Sequence, residues 1–264
     1  MQINNINTFL VELNKKKFSN QINLGSFLLM YEGKKIISLD YINYKYFNEL
    51  NYFLNLQNLF FYNFSRLDNN EFIVYFSLNQ KNLKTFKNKF EEYINGDNKN
   101  IIYIGKYLGF PNCCIKNFYI FFKYIKIQDI KYHMYDFIKN IYDKSDVFSK
   151  YLDIFKEKRL IFHTPCLFSC KYSIALGKNT NSILSNYTKD IYPYSYMYLF
   201  FETNDFIKLD KNGKYISEGV YYEYNEKADR NLFYKYKSYI ISNGGFFNEN
   251  IMNHNDKILY IKFN

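Results

Sequence analysis

All four cysteines of the 264-residue chain fall in two short stretches. The first reads Gly109-Phe110-Pro111-Asn112-Cys113-Cys114 and the second His163-Thr164-Pro165-Cys166-Leu167-Phe168-Ser169-Cys170. In each, a proline stands one or two positions before a cysteine, where a helical pattern begins, and proline suits the first helical position because no amide hydrogen is needed there. Both pairs are therefore expected to open a helix. The free amide hydrogens and positive dipole end of a helix start stabilise a thiolate. Two such starts in one chain predict a single shared site.

Cys166 and Cys170 are four apart, so on a helix their sulfurs lie on one face and can share one ion or cluster. Cys113 and Cys114 are adjacent, and their side chains diverge by about 100° on a regular helix. That spacing is awkward for one tetrahedral zinc, whereas neighbouring thiolates can ligate different irons of a cluster. Four cysteines match the ligand count of an iron-sulfur cluster and equally that of a structural zinc with four thiolates. The expected metal ligands are thus Cys113, Cys114, Cys166 and Cys170, the expected centre is an iron-sulfur cluster, and zinc is the alternative. Two further readings stay open. Thiol chemistry without metal would use His163 as base, although adjacent cysteines bridge only through a strained ring. Inert core thiols are the plainer alternative, since free cysteine is among the most buried residues.

His163 precedes Cys166 by three positions, close enough to be a ligand, a hydrogen-bond partner or a proton carrier, and it is the candidate catalytic residue. Ser169 and Ser173 are the candidate hydrogen-bond donors to sulfur, a contact that tunes a cluster's potential. His133 and His254 are expected to be structural or exposed. No paired carboxylates, phosphate-cradling glycine loop or Ser-His-Asp pattern stands at a convincing spacing. The work implied is redox or sulfur chemistry on a small molecule, by an oxidoreductase or transferase if the protein is an enzyme.

Hydrophobic residues make up 48% of the chain and aromatics 22%, which excludes a mainly disordered protein. A chain of this length buries a sizeable core without disulfides. The formal charge of +10 invites a nucleic-acid partner. Against that, the excess is lysine spread along the chain, arginine is confined to Arg66, Arg159 and Arg230, and specific phosphate or base recognition favours arginine forks. Nucleic-acid binding is kept as a lesser alternative. The opening residues lack a basic start and an apolar run, and no stretch is apolar for long enough to span a bilayer. A cytoplasmic location with reduced thiols and no membrane partner is expected.

The elements that must position the cysteines read as an α+β fold, with a helical centre flanked by β-rich ends. Residues 7–13 predict a helix burying Phe9, Leu10 and Leu13. Residues 26–31 and 35–39 predict a hairpin turning at Gly33, and residues 41–56 a helix. A strand is expected over 71–78 and a helix over 81–94, where Leu83, Phe86, Phe90 and Tyr93 recur at helical spacing. Helical periods continue through 127–160, with a break near 143–146. A further helix is expected after His163, with Thr164 as its cap and Pro165 next. Beyond Pro193, extended stretches at 196–203, 206–209 and 214–224, the Asn212-Gly213 turn, a helix over 227–240 and a last strand over 257–263 complete the pattern. Three segments follow, 1–100, 101–190 and 191–264, with boundaries soft enough for a single domain.

Gly109, the aromatic Phe110, Pro111 and Cys113-Cys114, followed by His163, Pro165, Cys166, Cys170 and Ser173, resemble the motifs of an archaeal and bacterial family known as the domain of unknown function 483 family. The resemblance covers the central third of the chain. The family form usually has Tyr where this chain has Phe110, and often an acidic residue where it has Asn112. What the resemblance implies is that these residues belong together; it implies no particular reaction.

Overall fold

Asn5 begins the first helix, α1 (Ile6–Asn14), by accepting a hydrogen bond from the Asn7 amide at 2.8 Å, a cap worth about 1 kcal/mol. Phe9, Leu10 and Leu13 are buried, as their spacing predicts. In this computed structural model, which describes residues 5–66, 70–155, 160–161, 163–187, 196–221, 224–248 and 257–263, α1 closes one side of an aromatic core. Phe9 and Phe27 lie 5.1 Å apart between ring centroids, and Phe60 meets both edge-on, a geometry the ring quadrupoles favour.

The expected hairpin at 26–39 is replaced by a helix, α2 (Leu24–Tyr31), and a strand, β1 (Ser38–Asn43). A short run of apolar residues fits a buried strand and a buried helix equally. Here the Asn23 side chain decides, by accepting from the Ser26 amide at 3.2 Å, and six of the eight helical residues are buried. Gly33 does adopt positive φ, at 67°, but as a helix stop. Its amide bonds Met30 O and that of Lys34 bonds Leu29 O, the paired bonds that end a helix at a left-handed residue.

β1, β2 (Phe61–Arg66) and β3 (Glu71–Ser77) form an antiparallel sheet in the order β1-β3-β2. The central β3 is buried on both faces. Phe72, Val74 and Phe76 join the aromatic core, while Ile73 and Tyr75 pack on α4 (Gln80–Ile94) through Leu83, Phe86 and Phe90. α3 (Phe47–Asn55) is shorter than the expected 41–56 because Tyr41 and Asn43 pair with β3.

The centre is helical, with α5 (Ile101–Tyr107), α6 (Asn112–Phe122), α7 (Ile130–Asp143) and α8 (Lys171–Tyr187). The helical period expected through 148–155 gives only one 3-10 turn, Lys150–Leu152. Asp153, which is buried, bends the chain there: its carboxylate accepts from the Phe155 amide and from the Tyr198 hydroxyl. Leu152 and Phe155 still reach the core.

β4 (Met197–Phe201), β5 (Asp205–Leu209), β6 (Tyr215–Val220) and β7 (Ile258–Lys262) make a second antiparallel sheet, ordered β6-β5-β4-β7. β4 repeats the logic of β3. Tyr198 and Phe200 face the core that holds Cys114 and Cys170, and Met197, Leu199 and Phe201 face α9 (Asn231–Ser242). The fold is α+β, with the helical region that carries the cysteines between two sheet-forming regions. Among the described residues no helix is long and apolar enough to cross a membrane.

α8 lies close against the 150–152 turn because Gly177 has no side chain. A Cβ there would stand 2.7 Å from the Tyr151 carbonyl oxygen, and a backbone atom cannot swing aside. Gly177→Ala is expected to destabilise the protein by about 1–3 kcal/mol, read from the midpoint of urea unfolding.

Candidate metal centre

The motif glycine is explained by the end of α5. Gly109 has φ 72°; its amide bonds Lys106 O, and the Phe110 amide bonds Gly105 O at 2.9 Å. α5 thus stops in the same way as α2, and Phe110 and Pro111 carry the chain straight into α6. Pro111 is the cap of α6, at ψ 138°, with its carbonyl accepting from the Cys114 and Ile115 amides. Cys113 and Cys114 are therefore the second and third helical residues, as the sequence leads one to expect.

The second stretch corrects that expectation. Cys166 lies in a loop, and α8 starts only after Cys170, whose carbonyl accepts from the Ile174 amide at 2.9 Å. Cys170 is thus the residue in the capping position. Thr164 caps nothing; its hydroxyl meets that of Tyr221 at 2.9 Å. The reason is the buried Phe168, which packs against Phe148 and Phe263 and is tied through its amide to Ser145 and through its carbonyl to the Ser149 amide. A helix from Pro165 onward would withdraw that anchor.

These two routes bring all four sulfurs together. Cys113 Sγ lies 3.9 Å from Cys114 Sγ and 3.7 Å from Cys170 Sγ, and Cys114 and Cys170 are 3.8 Å apart. With Cys166 included, all four sulfurs are within 4.8 Å of one another. None is in a disulfide. Cys114 and Cys170 are buried, whereas Cys113 and Cys166 are half-buried.

Without a cation this cluster holds little charge. Cys170 is pulled well below the usual thiol range by hydrogen bonds from Cys114, then from Cys166, together with the Ser173 hydroxyl and amide. The reverse holds for Cys114, which its contacts with Cys166 and Cys170 and its burial push far up. For Cys166 the contact with Cys114 favours the thiolate, but the contact with Cys170, burial and repulsion by Cys170 outweigh it and raise the group to about 12. Cys170 is favoured as the thiolate, and Cys114 and Cys166 are held protonated.

Ser173 is buried and joins the site, with its Oγ 3.2 Å from Cys114 Sγ and 2.8 Å from His163 Nε2. A hydroxyl has one hydrogen; given to the sulfur, it leaves Oγ to accept from Nε2–H. His163 Nδ1 is then a bare acceptor, and this buried atom has no hydrogen-bond partner. The ring lies against Phe110 at 4.9 Å between centroids, the two planes tilted by 34°. Cys114 Sγ also accepts from the Cys166 amide at 3.3 Å. No hydrogen bond joins Ser169 to a cysteine sulfur among the described residues. His133 is exposed on α7, as expected, and His254 lies outside the described residues.

Sequence reasoning missed Phe168, Ser145 and Tyr221, which pin the second stretch. It also missed Lys35, whose Cβ is 2.9 Å from where a Gly109 Cβ would be. An aromatic in the middle of a cysteine loop was the available signal for Phe168; for the others the sequence carries none. No protein-family model, no curated protein and no solved structure matches this chain.

Burial lowers the His163 pKa from 6.5 to about 4, the Cys170 charge opposing and the Lys35 charge assisting. The folded value lies below the unfolded one, so below pH 6.5 the unfolded chain takes up a proton that the folded chain refuses. Stability from the neutral ring is complete above pH 6.5 and is lost as pH falls toward about 4. Urea unfolding of the metal-free protein should show wild type losing on the order of 1–2 kcal/mol more across that window than His163→Gln does, the figure discounted because the residue is partly exposed.

Proposed function

We propose that the protein is a metalloprotein whose four thiolates, Cys113, Cys114, Cys166 and Cys170, hold one tetrahedral divalent ion, zinc in the first place. The observation that carries this reading is the sulfur spacing. A zinc-sulfur bond of about 2.3 Å sets the edge of a regular tetrahedron at about 3.8 Å, and three of the sulfur pairs lie at 3.7, 3.8 and 3.9 Å. A two-iron or cubane cluster puts cysteines on different irons and spreads their sulfurs beyond one such edge. The spacing therefore favours a mononuclear ion over the cluster that the adjacent cysteines suggest on a regular helix.

With four protein thiolates the coordination is closed, the pattern of a structural zinc. Such an ion would staple the start of α6 to the start of α8. Ser173 and the Cys166 amide supply hydrogen bonds to sulfur, which temper thiolate charge and orient the ligands. The residues that carry the likeness to the domain of unknown function 483 family, His163 and Ser173 among them, surround this site, and we retain membership of that family as part of the proposal.

A second reading has its own support. A single iron in the same four-sulfur cage would carry one electron, and with Cys113 and Cys166 half-buried the cage is not wholly sealed from a redox partner or a small molecule. Under this reading His163 moves protons beside the centre.

Elemental analysis of anaerobically purified protein decides between them. One zinc per chain and a colourless solution are expected; one iron with visible absorbance would establish the second reading. Cys166→Ser should lower metal occupancy at least tenfold. Wild-type protein that binds neither metal would overturn both.

A further inference from the structure

Lysine is spread along the chain, but carboxylates are not. Residues 98–128 and 160–187, the two segments that bring the cysteines together, hold seven lysines and not one Asp or Glu. Among the described residues none of these seven makes an ion pair, whereas Lys87, Lys131 and Lys237 elsewhere each meet a glutamate. Cations left unneutralised on neighbouring elements give a surface a standing positive potential.

The helix period sets part of this charge on one strip. α6 turns about 100° per residue, so Lys116, Ile120, Lys123 and Tyr124 fall within roughly 100° of arc, and the same arc includes Cys113. Lys123 keeps helical dihedral angles and carries the phase on to Tyr124. Lys116 is exposed, Ile120 is 55% exposed and Tyr124 is 87% exposed. At the head of the strip the Cys113 sulfur lies 3.7 Å from that of Cys170, and the two residues that follow Cys170, Lys171 and Tyr172, are exposed at the start of α8. The strip therefore runs about 16 Å along α6 from Cys113 to Tyr124, with Lys171 and Tyr172 beyond its upper end. Each tyrosine has the preceding lysine over its ring, at 4.6 Å for Lys123 on Tyr124 and 5.2 Å for Lys171 on Tyr172.

We propose that this strip binds single-stranded nucleic acid, with Lys116, Lys123 and Lys171 on phosphates and Tyr124 and Tyr172 stacked on bases. Cations interleaved with exposed aromatic rings fit a strand in which phosphates alternate with unpaired bases. A duplex keeps its bases stacked on one another, and the strip carries no arginine fork to read base edges in a groove. An acidic peptide would meet the lysines and leave the rings unused. The inference goes beyond the metal reading and does not require it: a divalent ion held by four thiolates is a net dianion at the head of the strip, which the seven lysines of the two segments outweigh.

The test is fluorescence anisotropy of labelled oligo(dT) and oligo(U) of about 15 nucleotides, titrated with the anaerobically purified 264-residue chain. Affinity for both strands should fall roughly 20-fold between about 50 and 200 mM salt, as three phosphate contacts at a slope of about 0.7 each require. Lys116→Ala and Lys123→Ala should each lower that slope by about 0.7. Tyr124→Ala, at an exposed position outside the core, should weaken binding roughly 5- to 150-fold, and Tyr124→Phe should restore it. Lys84→Ala, the same charge change at an exposed position of α4, should leave affinity and slope unchanged. The inference is overturned by no binding at the lowest salt, by equal losses in Lys84→Ala and Lys116→Ala, or by a duplex or polyglutamate bound as tightly as the single strands. Metal-loaded protein that ignores both strands overturns this inference alone; strands bound in the expected pattern by protein holding neither zinc nor iron overturn only the metal reading.

Discussion

Four sulfur atoms within 4.8 Å of one another set the constraint on which the rest of the structure turns. At 4 Å two unit charges repel by about 4 kcal/mol at the effective dielectric of a protein surface, so four thiolates cannot coexist without a cation between them. The thiols alone settle for one charge at Cys170 with neighbours that stay protonated. A divalent ion would reverse that balance by compensating the charge where it forms, and binding would then release protons and add to folding stability in one step.

The surrounding fold holds the sulfurs in place by independent means. A helix stop at Gly109 and the cap at Pro111 aim α6 from one side. From the other, Phe168 is locked among Phe148 and Phe263, and Cys170 caps α8. Two helix N-termini consequently point at one spot, where their free amide hydrogens favour negative sulfur. Behind them Tyr198 and Phe200 of β4 close the core. Cys113 and Cys166 remain half-buried, so the cluster is not wholly sealed from solvent.

The amino-terminal sheet is more than a neighbour of this centre. α2 packs on α8, and Tyr187 at the end of α8 donates to Glu32 just past α2. Lys35 extends the same contact to the loop before Cys113. The cysteine region and the first sheet therefore meet through helix packing, a surface hydrogen bond and the close approach of Gly109 to Lys35.

What the sequence by itself determined is local. Recurring apolar positions placed α1, α4, α7 and α9 and the strands β3 to β7, because a 3.6-residue or a two-residue repeat says which face must be buried. The pairing of cysteines near prolines singled out the four residues that cluster and the start of α6. Tertiary structure decided the rest. Residues 24–31 are apolar throughout and read as strand or helix alike, until the Asn23 cap and burial on every side select the helix. The 163–170 stretch looks helical from its spacing, yet the burial of Phe168 outweighs a few weak helical preferences and leaves Cys166 in a loop. Adjacent cysteines suggest a cluster on a regular helix, but at a helix start, opposite a loop and a capping cysteine, their sulfurs come within one tetrahedron's edge of Cys170. The place of Lys35 beside the motif depends on contacts across more than seventy residues of sequence, and periodicity, which reports only on near neighbours, carries no information about them.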